Sequence, residues 1–192
     1  MEINGSIDEA GNAHAAIPDD IIKAAQDAAE KEGAAENGIV VAIKVNLEET
    51  TSSLSITLSI GALEALIEAG VIELRIESNT ADIVLDLATM KQILEAGGSD
   101  VLIRVVAATG LWAADQAVIP NQPVFELSIQ SGGRVIPLSS GASVSVSLPY
   151  TPAEGENPDN LAGVYVDDVG KVIYLPYSGD NVYAERLRFS MN

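Results

Sequence analysis

Residues 56–70 read Ile56-Thr-Leu-Ser-Ile-Gly-Ala-Leu-Glu-Ala-Leu-Ile-Glu-Ala-Gly70, and residues 83–97 read Ile83-Val-Leu-Asp-Leu-Ala-Thr-Met-Lys-Gln-Ile-Leu-Glu-Ala-Gly97. At the constant shift of 27, Ile56 falls on Ile83, Leu58 on Leu85, Leu63 on Met90, Leu66 on Ile93 and Ile67 on Leu94. Ser59 and Asp86 coincide too, and each can accept an otherwise unpaired N–H of a helix's first turn. Gly70 and Gly97 fall where a helix ends on a left-handed residue. Before each cap the apolar period is two; after it the period is three to four, so each stretch predicts a strand followed by a short helix. The match is read as an internal repeat.

Working outward, each helix leads into another strand. Ile72, Leu74 and Ile76 alternate with Glu73, Arg75 and Glu77 in the pattern of a half-exposed strand. Val101-Leu-Ile-Arg-Val-Val106 is more apolar and is expected near the centre of its sheet. A weaker first copy lies upstream. Ala15-Ala-Ile-Pro18 ends a strand, Asp19 and Asp20 open a helix through Lys31, and Gly33 stops it. Ile21, Ile22, Ala25, Ala28 and Ala29 form its apolar stripe, and Ile39-Val-Val-Ala-Ile-Lys-Val45 is the strand that follows. Residues 13–108 thus predict three strand–helix–strand units, after a tail over 1–12.

From 109 to 192 the texture changes. Phe125, Leu127 and Ile129 alternate with polar residues, as do Val144, Val146 and Leu148, and turn clusters at 152–160, 167–170 and 178–181 divide the short runs. The expected fold class is α+β: a mixed sheet with short helices on one face, packed against an antiparallel, sandwich-like half. The core is expected to hold Leu63, Leu66, Ile67, Met90, Ile93 and Leu94, because helices this short need tertiary burial.

Composition narrows the chemistry. The 192 residues carry 28 Asp plus Glu against 10 Lys plus Arg, a formal charge of −18, which disfavours nucleic acid and anionic lipid as partners. Hydrophobic residues at 47% exclude disorder, and no apolar stretch approaches a membrane span. Met1-Glu-Ile-Asn-Gly-Ser6 has neither a basic region nor an apolar run, so it does not read as a secretory signal. There is no Cys, which removes disulfides and thiolate chemistry. His14 is the one histidine, so a Ser-His-Asp arrangement or a histidine metal site has little to draw on, and a surface histidine is the plainer reading.

Carboxylates are abundant, at Asp19-Asp20, Glu48-Glu49, Asp167-Asp168 and Asp180, but they fall in turns and helix starts where Asp serves local hydrogen bonding. Trp112 is the one Trp, a poor basis for a sugar platform. Calcium is the more reasonable ligand, with Asp159, Asp167, Asp168 and Asp180 as candidates if their turns converge, although no EF-hand loop is present. The glycine pairs Gly97-Gly98 and Gly132-Gly133 match no phosphate loop. Asn4-Gly-Ser6 fits a glycosylation sequon.

Several fragments, in their order along the chain, carry a resemblance. They are Ala15-Ala-Ile-Pro18 with Ile22-Lys-Ala-Ala-Gln-Asp-Ala-Ala-Glu-Lys31, Ala62-Leu-Glu-Ala-Leu-Ile-Glu-Ala-Gly70, Gln122-Pro-Val-Phe-Glu-Leu-Ser-Ile129, Val144-Ser-Val-Ser-Leu-Pro-Tyr-Thr151, Asn157-Pro-Asp-Asn-Leu161 and Val164-Tyr-Val-Asp-Asp-Val-Gly-Lys171. Together they resemble a recurring module of Gram-positive (Firmicutes) cell-surface proteins, of the kind found with S-layer homology domains or cell-wall anchors. The resemblance spans roughly 12–192. It implies an extracellular, non-enzymatic building block, a spacer or display unit whose partners are other domains of the same polypeptide and cell-wall glycan or a host surface. Such modules often finish in His-Phe-Ser, as autoproteolytic domains do; Arg188-Phe-Ser-Met-Asn192 lacks that tripeptide, so no such cleavage is expected. A calcium- or glycan-binding module is the alternative, and a carboxylate hydrolase the third.

Overall fold

Ser59 Oγ accepts the backbone N–H of Ala62 at 3.0 Å, and Asp86 Oδ1 accepts that of Thr89 at 2.7 Å, so both predicted caps form. Gly70 and Gly97 have φ of 83° and 71°, the left-handed region that ends each helix without Cβ strain. The computed structural model describes residues 1–32, 38–108, 124–139, 141–150, 164–166, 172–174 and 186–191. In chain order these form β1 (Glu2–Asn4), β2 (Ser6–Ile7), β3 (Ala13–Ala16), α1 (Asp19–Glu32), β4 (Ile39–Asn46), β5 (Ser53–Ser59), α2 (Ile60–Glu68), β6 (Val71–Glu77), β7 (Asp82–Asp86), α3 (Leu87–Ala96) and β8 (Asp100–Ala107). There follow β9 (Phe125–Ser131), β10 (Arg134–Val135), β11 (Val144–Pro149), β12 (Val164–Val166), β13 (Val172–Tyr174) and β14 (Arg186–Met191).

The fold is α+β, mostly strands, with three short helices. In place of one mixed sheet there are two of six strands each, ordered β1-β4-β6-β7-β11-β14 and β10-β9-β8-β5-β3-β2; β12 and β13 pair separately. Each strand–helix–strand unit starts in one sheet and ends in the other. For the second and third units helix length explains this: α2 has 9 residues and α3 has 10, rods of about 13–15 Å. That matches the spacing of about 10 Å between stacked sheets, and it is short for a crossover that must return along a sheet face. Strands β9 and β11 extend these same sheets, antiparallel to β8 and β7. Residues 1–12, read above as a tail, contribute β1 to one sheet and β2 to the other.

Strand register places the helices together. Ser59, which ends β5, lies opposite Asp100, which starts β8; Asp86, which ends β7, lies opposite Glu73 near the start of β6. All three helices therefore close one end of the sheet pair. Between the sheets runs a single hydrophobic core. Ile43, Leu74, Ile76, Ile83, Leu85 and Val144 come from one sheet, Leu54, Ile56, Leu58, Val101 and Ile103 from the other, all at most 1% exposed. Leu63, Leu66, Met90 and Ile93 seal the helix end at 0% exposure; Ile67 and Leu94, expected beside them, are half-buried. Strand β8 is paired on both sides, as its composition predicted, but only one of its faces is buried.

Two predicted positions turn out differently. Ala28, assigned to the apolar stripe of α1, is exposed, and Gln26 does the packing work, its Nε2 donating to Ala65 O of α2 at 3.0 Å. Ile72 is 38% exposed because the β4–β6 register shifts between Ile39 and Val40. Val71 pairs with Ile39 and Glu73 with Val40, leaving Ile72 as the extra residue of a bulge. Val71 turns inward instead, and the Ile72 side chain lies over Gly38, whose φ of 77° and missing Cβ make room for it.

Candidate functional site

Away from the helices the chain reverses between β4 and β5, and between β6 and β7. Here side chains of small polar residues replace the helices as closure. His14 Nε2 lies 3.1 Å from Asp8 Oδ2, and Asp8 also accepts the backbone N–H groups of Ala10 and Asn12 at 2.9 and 2.8 Å. Asn12 Oδ1 accepts from Ser53 Oγ at 2.7 Å, and Thr51 Oγ1 donates to Ser53 O at 2.6 Å. Thr80 Oγ1 accepts from Thr51 N–H at 3.1 Å, Thr80 N–H donates to Ser78 Oγ at 3.2 Å, and Ser78 N–H donates to Asp82 Oδ1 at 3.0 Å. The chain of hydrogen bonds runs from the β2–β3 turn across both sheets to β7. The donors around Asp8, led by Asn12, hold its carboxyl well below the ordinary carboxylate range.

One end of this chain borders a surface groove of about 390 Å³, lined by Lys44 to Asn46 of β4, by Leu47 just after it, and by Glu77, Ser78, Asn79 and Asp82 around the β6–β7 turn. Lys44 and Glu77 are register neighbours on parallel strands, yet Lys44 Nζ leans to Glu2 Oε1 at 3.8 Å. Asn46 Nδ2 reaches Glu2 Oε2 at 3.3 Å, and Asn79 Nδ2 reaches Leu47 O only at 3.5 Å. The Glu77 carboxylate has neither a hydrogen-bond nor an ion-pair partner among the described residues. Ser78 and Asp82 are engaged in the turn, so the spare bonding capacity at the groove belongs to Glu77 and Asn79. Nothing in the sequence marked it: Lys44, Asn46, Glu77 and Asn79 come from segments more than thirty residues apart and match no motif.

Asp159, Asp167, Asp168 and Asp180 lie outside the described residues, as do Gly33 and Trp112. His14 is half-exposed and engaged with Asp8 as described. Asp20 accepts from the N–H of Ile21 at 3.0 Å in the first turn of α1, and Asp19 accepts from Ser59 Oγ at 3.1 Å, tying the start of α1 to the cap of α2. Glu48 and Glu49 are exposed in the β4–β5 connection. The two glycine pairs meet one another: a Cβ on Gly98 would stand 2.8 Å from Gly132 N, and Ser131 Oγ donates to Gly97 O. They are a close backbone approach that fastens the α3–β8 loop to the β9–β10 turn. Asn4 of the sequon is exposed at the end of β1.

Among the described residues no three His, Asp or Glu side chains converge on a point that would hold a metal ion. Among the same residues no helix is long and apolar enough to cross a membrane. No family model matches the chain, and no curated protein or solved structure matches it.

Proposed function

We propose that the chain is a non-enzymatic structural and adhesive module, a spacer or display unit held outside the cell within a larger bacterial surface polypeptide. The reading is supported by what the polar side chains do. Among the described residues, Asp8, Asp19, Asp82 and Asp86 are each committed to a turn, a strand end or a helix start. Glu73 is paired with Arg75 and Glu2 with Lys44. Carboxylates engaged in this way stabilise local backbone; a hydrolase needs two of them facing a substrate with separated protonation states. The formal charge of −18 supports the same reading, since it favours solubility and keeps neighbouring copies apart.

The test is made on the parent gene product in its own cell. Protease shaving of intact cells is expected to release peptides of this chain, and antibodies to it are expected to label the surface without permeabilisation. Labelling only after lysis overturns the location. A flat activity screen on glycosides and peptides is the expected biochemical result, and turnover of any of them overturns the non-enzymatic assignment.

Calcium binding is the second reading, and it rests on the sequence candidates Asp159, Asp167, Asp168 and Asp180. A thermal midpoint that rises with calcium and falls again with EDTA supports it, because a ligand that binds only the folded state stabilises that state. Coincident curves remove it.

A further inference from the structure

We propose that the groove between β4 and the β6–β7 turn is a binding subsite for the end of a neutral glycan. Charge and the spare hydrogen-bonding capacity of Glu77 and Asn79 both favour such a ligand. A free anion is disfavoured, since Glu77 and Asp82 line the groove together with the single cation Lys44. A metal cation is disfavoured too: the ammonium of Lys44 shares the groove and the described acids do not gather into a three-ligand set. A ligand without net charge that both donates and accepts matches this lining better. Sugar hydroxyls do both.

The lining supplies the counterparts. The carboxylate of Glu77, unpartnered among the described residues, can accept from two neighbouring hydroxyls. Asn79, with its weak 3.5 Å contact to Leu47 O, can turn its amide to a ligand at little cost, and Asn46 and Lys44 add donors held loosely by Glu2. Leu47, half-buried and lying over Gly5, also lines the groove. The volume, about 390 Å³, falls at the small end of ligand sites, which run from about 300 to 1,000 Å³. With no aromatic ring among its lining residues, the groove is expected to bind with a Kd of about 1 mM or weaker.

This inference deepens the adhesive reading and rests on it for its biological sense, but it is tested separately. The intact chain, labelled with nitrogen-15, is titrated with neutral trisaccharides of glucose, galactose, mannose and N-acetylglucosamine, and with tri-galacturonate as the charged arm. Saturable shifts confined to the amides of 44–47 and 77–82 are expected for at least one neutral sugar. Glu77→Gln and Asn79→Ala, both at exposed positions, are each expected to weaken that binding roughly fivefold, as the loss of one net hydrogen bond does. The midpoint of unfolding is expected to stay in place. No saturable shift with any neutral sugar up to about 50 mM overturns the proposal, as does tighter binding of tri-galacturonate or an affinity that neither variant changes. Either failure leaves the spacer role standing. Cleavage of the sugar, visible in its own signals, overturns the non-enzymatic assignment and leaves the groove's occupancy intact.

Discussion

The helix end of the molecule is closed by Leu63, Leu66, Met90 and Ile93, all at 0% exposure, while the opposite end is closed by Thr51, Ser53, Ser78 and Thr80 joined in a hydrogen-bond chain. The two solutions differ in how they distribute free energy. Each leucine removed from water at the helix end is worth about 1.5–3 kcal/mol, and the gain is non-directional. A hydrogen bond at the loop end contributes about 1 kcal/mol net, yet losing one partner there strands the other in a dry site at about 1–3 kcal/mol. One end is strong and tolerant of small shifts. The other is weaker, exact in geometry and open enough to leave a groove beside it.

Breaking the helix end gives the largest expected effect. Leu66→Asp places an unpaired charge in the core and is expected to abolish the cooperative unfolding transition in urea; a transition with an unchanged midpoint sinks this placement. Gly98→Ala comes next. Its φ of 116° and the nearby Gly132 N leave no room for a methyl group, so a loss of about 3 kcal/mol is expected from denaturant titration. A loss below about 0.5 kcal/mol would mean that the α3–β8 loop and the β9–β10 turn are not fastened there.

At the loop end, Thr80→Val keeps the shape and removes the oxygen that Thr51 uses, and about 2 kcal/mol is expected to go. Calorimetry checks it, and a neutral result would show that water substitutes freely. The smallest effect belongs to Asp8. Its carboxyl titrates lower in the folded chain than the unfolded value near 4. Its contribution is therefore fully present above about pH 4 and lost as the pH falls below it. The gap in thermal midpoint between the parent chain and Asp8→Ala is expected to be constant from pH 7 to about 4.5 and to close at lower pH. A gap that fails to narrow between pH 4 and pH 2 would show that the turn does not depend on the carboxylate.

Much of the helix end could be read in advance from Ser59, Asp86, Gly70, Gly97 and the spacing of Leu63, Leu66, Met90 and Ile93, since all of these act within one or two turns of chain. The bulge at Ile72 could not, because it depends on which residue of β4 lies opposite. Strand β1 escaped notice for a related reason: Glu2-Ile-Asn4 has one apolar residue, and it is a strand only because β4 offers it an edge. The groove was the least visible feature, being an accident of register between Lys44 and Glu77 and of the turn that carries Asn79.

Composition and local pattern alone settle where α2 and α3 are capped, which face of β5 and β7 carries the apolar residues, and that the chain is strongly acidic. They act over a few residues, through backbone conformation, hydrogen bonds to the nearest N–H groups and the burial of one stripe. Which sheet each strand joins, how its two ends are closed and where polar side chains gather into a groove emerge only when distant segments meet. Those choices rest on packing and register between partners that are neighbours in space and strangers in sequence.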